Sequence, residues 1–296
     1  MIVAEDGTIA GTIGGGIMEY NLVKRARTLL EDGEFAPELQ TLHHREKGEG
    51  EKSGMICAGR QTNLYYLCYP ERDTDAVEEA ARAQGKGLSG EMHISEDGMG
   101  FNAGPPVVDQ PQILLVQQSG AWRYVEQLLN QKRIAIMGGG HCALALSRMM
   151  QGLGYDVFVF DTRSDVATVQ QNTFARSVTI VPDLREAGAQ VGYPELTDVV
   201  VMTTDFPSDV HSLLGVVALP FPFVGMMGSP AKITRIYKEL QKAGVSKEAL
   251  AKIHMPVGLP IHSNTPEEIA ISVAAQIIQR RNALFGARDG MMPKAG

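Results

Sequence analysis

The sequence predicts an α/β protein whose C-terminal half is an open parallel sheet, preceded by a smaller α+β domain. Three observations carry this expectation. Arg133–Met137 is a short apolar, β-branched run that stops at Gly138-Gly139-Gly140-His141-Cys142-Ala143, a G-x-G-x-x-A turn opening a helix. That helix, expected from His141 to about Leu153, ends at Gly152-Leu153-Gly154 and is followed by a second apolar strand, Asp156–Phe160, closed by Asp161. Further strands are expected at Val178–Val181, Asp198–Thr203 and Phe223–Met227, spaced as in an alternating α/β chain. Together these describe a Rossmann-like domain.

Each part of the turn has a physical task. Gly138 permits the tight turn, Gly140 lets a pyrophosphate approach the backbone, and Ala143 lets helix and strand pack closely, with Gly139 between them. Asp161 stands about 20 residues beyond the glycines, where a carboxylate can take a ribose hydroxyl. His141 is a helix-start residue within reach of a ligand, and Arg163 reads as a solvated surface charge or, alternatively, as a phosphate contact. The stretch from Thr203 through Asp205 to Asp209 lies where a parallel strand's carboxyl end meets a helix, where such sheets form their ligand crevice. Gly228-Ser229-Pro230 opens another helix, with Ser229 as N-cap and a phosphate contact. Pro256–His262, including Gly258, is expected to cover the crevice, and Thr265-Pro266-Glu267-Glu268 is a capping box that starts the last helix.

The first domain is expected over residues 1–118, a linker over 119–131, the Rossmann-like domain over 132–285 and a disordered tail over 286–296. An N-terminal hairpin turns at Asp6-Gly7, and Gly14-Gly15-Gly16 precedes a helix whose dipole and bare amides suit an anion. A polar loop over Glu46–Gly54 leads to Cys57 and then to a strand expected at Thr62–Cys68, which would place Cys68 in the core. Cys57, among small residues at a loop's end, reads as a small buried side chain or as an exposed thiol able to act as nucleophile or metal ligand. A helix is expected at Asp73–Gln84, short strands around Met92, Phe101 and Gln112–Val116, and a short helix or connector at Trp122–Leu129.

A net charge of −7 argues against nucleic acid or an anionic membrane as the main partner. No segment approaches the ~20 apolar residues of a membrane span, so a cytoplasmic location is expected. Three cysteines make neither a disulfide framework nor a clustered zinc site.

The motifs resemble the XdhC/CoxI family, the accessory proteins of xanthine dehydrogenase and related molybdenum hydroxylases. The matching pieces are Gly11–Gly16 with Glu19, Cys57-Ala58-Gly59, the Gly138–His141 turn, Asp161-x-Arg163, Val224–Ser229 and Pro256–Leu259 through Thr265–Ala270. In that family a further strand and loop precede the position of Met1, and Cys-Gly-Gly, Thr-His and Glu are usual where this chain has Cys57-Ala58-Gly59, Thr203-Thr204 and Gln276. The resemblance implies a maturation factor without turnover of its own. It would bind molybdenum cofactor, as molybdopterin or its dinucleotide form, and assist its sulfuration and insertion into a client hydroxylase. It further implies a sulfurtransferase partner, a homodimer, and a Cys57 thiolate facing the metal end of the cofactor. The fingerprint alone suggests an NAD(P)-dependent oxidoreductase, and a nucleotide-responsive regulator of the client enzyme is a third reading.

Overall fold

A computed structural model describes residues 1–33, 35–43, 60–86, 88–104, 113–118, 121–128 and 132–289. The chain divides into two units, one formed by Met1–Ala83, Gly90–Gly104 and Ile113–Glu126, the other by the remainder, principally Gln127–Gly296. The expected loop at Glu46–Gly54 and Cys57 lie outside the described residues.

The first unit begins with a hairpin, β1 (Ile2–Val3) and β2 (Ile9–Ala10), whose turn is held by the Thr8 amide donating to Asp6 Oδ1 at 2.8 Å. Helix α1 (Gly16–Asp32) buries Met18 and Leu22 against Leu42, which belongs to β3 (Glu38–His43). Strand β3 pairs antiparallel with β4 (Arg60–Tyr65). Because β4 ends at Tyr65, the expected strand to Cys68 is three residues too long, and Cys68 is exposed rather than in the core. After α2 (Pro70–Gly85) come β5 (Gly90–Ser95), β6 (Gly98–Ala103), β7 (Ile113–Gln118) and β8 (Ala121–Leu128), in a sheet of order β6-β5-β8-β7. Strand β8 corrects the expected helix or connector at Trp122–Leu129. Toward its end it alternates, with Val125 and Gln127 buried on one face and Tyr124, Glu126 and Leu128 only half-buried on the other, but the polar Glu126 and Gln127 hide that period in the sequence.

The unit is tied at α2 by Asp73, which is 2% exposed. Its carboxylate accepts from Tyr66 Oη at 2.7 Å, the Tyr69 amide at 2.9 Å, Arg72 Nε at 3.0 Å, Arg72 Nη2 at 2.9 Å and the Met99 amide at 3.1 Å. Burial opposes its ionisation, yet the Arg72 and Tyr66 hydrogen bonds with the two amides outweigh it and hold the carboxyl down at about 2.

The second unit is a six-stranded sheet of order β11-β10-β9-β12-β13-β14, parallel at every pairing. Its strands are β9 (Arg133–Met137), β10 (Asp156–Asp161), β11 (Ser177–Ile180), β12 (Thr197–Val201), β13 (Phe223–Met226) and β14 (Ile253–His254). All of β9 and β12 is buried, as the central strands of a sheet covered on both faces must be. On one face Ala135, Met137 and Val199 meet Leu213 and Val216 of α5 (Phe206–Val216) and Ile236 and Leu240 of α6 (Pro230–Lys242), after the short α4 (Ala167–Gln170). On the other, Ile134, Ile136 and Val200 meet Leu146 and Met150 of α3 (His141–Gly152) and Val273 and Ile277 of the last helix. That helix, α8 (Pro266–Asp289), follows the short α7 (Lys247–Ala251). It starts at the expected capping box: the Glu268 amide donates to Thr265 Oγ1 and the Thr265 amide to Glu268 Oε2, both at 3.2 Å. Continuing to Asp289, it takes in the first residues of the expected tail. Among the described residues no helix is long and apolar enough to cross a membrane.

Candidate functional site

The order of the parallel sheet reverses between β9 and β12, which start connections toward opposite edges. At such a switch point the loops leaving the strands' carboxyl ends diverge and leave a crevice. The loops here are Gly138–His141 and Thr203–Asp205, and the neighbouring strands β10 and β13 contribute Asp161 with Arg163 and Gly228 with Ser229. Ten of the sequence-selected residues therefore come to one edge of one sheet.

The three glycines of the turn are not equivalent. Gly138 has φ +106°, and a Cβ there would lie 2.7 Å from the Met202 carbonyl oxygen and 2.9 Å from Thr203 Cα. Gly139 would drive a Cβ to 2.3 Å from Val169 Cγ2. Gly140 has φ −75°, an ordinary value, and the nearest atom to its Cβ position is Thr204 Cγ2 at 3.9 Å. The first two glycines are thus required by packing, while neither backbone conformation nor packing within the protein requires a glycine at position 140. Gly140 is also the N-cap of α3 and supplies no side-chain acceptor, so the positive end of the helix opens beside it. His141 is exposed and lines an apolar groove of about 640 Å³ with Leu144, Met149, Phe174 and Pro266.

Asp161 is turned into the protein. Its Oδ2 accepts from the Gly139 amide at 2.6 Å and from Arg163 Nη2 at 2.9 Å, and its Oδ1 from the Arg163 amide and Nε, both at 2.9 Å. Burial works against its charge, but the Arg163 and Gly139 hydrogen bonds prevail and hold its carboxyl below the usual range. With two lone pairs on each oxygen, these four donors use its full accepting capacity. Arg163, expected as a surface charge or a phosphate contact, is a guanidinium with 38% of its side chain exposed and is held by Asp161.

Thr203 donates its hydroxyl to Asp209 Oδ1 at 2.6 Å and lies 3.0 Å from the Asp205 carbonyl. Asp205 caps α5, accepting from the Ser208 amide at 2.9 Å and Ser208 Oγ at 2.8 Å, and the backbone bond is the main reason its carboxyl lies low. Asp209 is fully buried and its other oxygen contacts the Lys232 ammonium. Burial raises its carboxyl against the pull of Lys232 and Thr203. Ser229 caps α6 through the Lys232 amide at 3.3 Å. Sequence reasoning placed Asp209 at the end of the crevice stretch without a role and missed Lys232, because one turn into two different helices they carry no local motif; the apposition of the β12 and β13 loops is the signal that pairs them.

Gly258 serves the covering segment. It has φ +105°, its amide donates to Gln276 Oε1 at 2.7 Å, and a Cβ would strike Ser272 Oγ at 2.3 Å, so it pins Pro256–His262 to α8. In the first unit, Glu19 Oε2 accepts from Thr12 Oγ1 at 2.5 Å, the Ile13 amide at 2.9 Å and the Gly15 amide at 3.2 Å, while the Gly14 amide donates to Thr12 Oγ1 at 3.2 Å. The glycine turn of Gly14, Gly15 and Gly16 therefore already holds an anion, its own Glu19. Among the described residues no group of three or more His, Cys, Asp and Glu side chains is arranged to hold a metal ion. Cys57, the expected metal ligand, is outside them.

Comparison with known proteins agrees with this architecture. A model of the XdhC Rossmann domain matches residues 134–277, and one of the XdhC and CoxI family matches residues 1–43. The chain is 25% identical over 297 residues to the protein YqeB of Escherichia coli strain K12, covering 99% of this chain and 42% of that one. It is 26% identical over 161 residues to a probable xanthine dehydrogenase subunit from Bacillus subtilis strain 168, covering 53% of this chain and 46% of that one. The chain thus spans less than half the length of these two relatives. A crystal structure of a xanthine dehydrogenase from Bacillus halodurans shares the fold, with a TM-score of 0.71 at 20% identity over 95% of this chain and 85% of that one. By its two matched segments, which include the Rossmann unit from β9 into α8, the chain belongs to the XdhC and CoxI family.

Proposed function

We propose that this chain is an accessory protein of a xanthine dehydrogenase-type molybdenum hydroxylase, and that it holds molybdenum cofactor in the β9/β12 crevice as cargo for that client. The observation that carries the reading is Gly140: a glycine needed neither for φ nor for packing, at the uncapped start of α3. Such a place fits the phosphate or diphosphate of a cofactor tail, with Arg163 as a cation on the same sheet edge. The name of the Bacillus subtilis relative, a probable xanthine dehydrogenase subunit, supports the choice of client. Cys57 is assigned to the pterin or metal end on the family resemblance alone, since a thiolate suits a thiophilic metal. Sulfuration, with a sulfurtransferase as second partner, would take place on the held cofactor. The test is reconstitution: a client apo-hydroxylase given cofactor should gain activity faster with this chain than with a Gly140→Val variant, and equal rates would count against the reading.

The order of the parallel sheet favours a second reading, an NAD(P)-dependent oxidoreductase. Asp161 weighs against it, because a ribose hydroxyl would have to displace Arg163 from the carboxylate.

A further inference from the structure

Two side chains in the crevice wall occupy positions that each cost free energy alone. Asp209 buries a carboxylate completely, and Lys232 puts an ammonium in the first turn of α6, whose N-terminus already carries partial positive charge and no acidic residue. They contact each other, and Thr203 completes the set by donating to Asp209 Oδ1. An apolar pair of the same size would fill the space at less electrostatic cost. The pair also differs in exposure: Asp209 is sealed, whereas 26% of the Lys232 side chain reaches the surface. An ammonium has three protons, and the contact with Asp209 leaves others to donate. Gly228 leaves room for the lysine stem, whose Cδ lies 3.4 Å from where a Cβ on that glycine would stand.

We propose that Lys232 is a ligand-binding cation of the crevice, selecting a diphosphate-bearing tail, and that Asp209 is the positioning residue that aims it. The proposal rests on reading the crevice as the holder of a phosphate-bearing cofactor. Arg163 on β10's loop and Lys232 on β13's helix are then two cations fixed by two inward-facing carboxylates, Asp161 and Asp209, on either side of the β9 and β12 loops. The charges of both also favour the ionised form of Asp205, at the start of α5, after the Ser208 hydrogen bonds that mainly do so. A tail with two phosphates can engage both cations, whereas an uncharged nucleoside engages neither.

The experiment is calorimetric titration of the full chain with ADP, inorganic pyrophosphate and adenosine as probes. The unaltered protein should bind ADP more tightly than adenosine, with pyrophosphate competing. Lys232→Met should lower ADP affinity about tenfold or more, as expected for a lost hydrogen bond to a charged group, and leave adenosine affinity unchanged. Lys232→Arg should retain most ADP binding. Because Lys232→Met strands a buried carboxylate, the double variant Asp209→Asn/Lys232→Gln serves as a second test. It should match the unaltered protein in Tm and still lose ADP affinity. Undiminished ADP binding by both variants, or equal affinity of the unaltered protein for ADP and adenosine, overturns the role of Lys232 while leaving the crevice reading intact. Failure of the unaltered protein to bind any of the three probes overturns both.

Discussion

The Asp161 carboxylate and the Arg163 guanidinium face each other in a two-point pair, Oδ1 with Nε and Oδ2 with Nη2, each at 2.9 Å. Since Oδ2 also takes the Gly139 amide at 2.6 Å, one acid fixes both the glycine turn after β9 and the neighbouring cation. This arrangement predicts that ADP and 2′-deoxy-ADP bind alike, because the hydroxyl that a free Asp161 would accept has no vacant lone pair to meet. A severalfold preference for ADP would return Asp161 to ribose recognition. Asp161→Ala should cost about 2 kcal/mol in stability, since it leaves a buried amide unpaired; denaturant titration measures it.

The glycines of the β9 turn should separate folding from binding. Gly138→Ala meets the Met202 carbonyl at 2.7 Å and an unfavourable φ, so a loss of about 1–3 kcal/mol is expected. Gly140→Ala has an ordinary φ and meets only Thr204 Cγ2, at an ordinary 3.9 Å, so Tm should hold while ADP affinity drops. A Gly140→Ala protein with normal affinity would remove the reason for a glycine there.

Asp73 predicts a pH dependence in the first unit. Its folded carboxyl lies at about 2 against an ordinary 3.8, so its contribution is fully present above pH 3.8 and is lost as pH falls through about 2. Asp73→Asn should therefore be less stable than the unaltered protein by about 2 kcal/mol at pH 7, with the gap narrowing in acid. A gap independent of pH would show that shape rather than charge holds the α2 start.

Asp198 has the opposite sign. Burial within β12 of the central sheet raises its carboxyl to about 6 despite Arg280, whose Nη1 lies 3.2 Å away. Folding therefore gains from protonation: its cost is absent below pH 3.8, grows from there to about pH 6 and is complete above. Asp198→Asn should raise stability at pH 7 by about 1–2 kcal/mol and make no difference at pH 3.5; thermal melts at the two pH values decide it.

The Rossmann unit was legible because its signals are local. A β-branched run, three glycines, an acidic strand end and a capping box each lie within a few residues, and Ser229 and Thr265 cap their helices as the letters suggest. The failures share a cause as well. Strand β8 hides its alternation behind Glu126 and Gln127, and β4 ends before Cys68 although the aromatic run continues. In the candidate site the glycines could be assigned, but which way Asp161 turns depends on Arg163 and the Gly139 amide competing for it. The contact of Asp209 with Lys232 joins two helices that only the tertiary fold brings together.

The most direct measurement is equilibrium binding of the purified chain to molybdenum cofactor in competition with NAD and NADP, read by pterin fluorescence after oxidative release. The account predicts saturable retention of pterin that neither nicotinamide nucleotide displaces. Tight NAD(P) binding with no pterin retained would contradict it and leave the crevice as the nicotinamide site of an oxidoreductase.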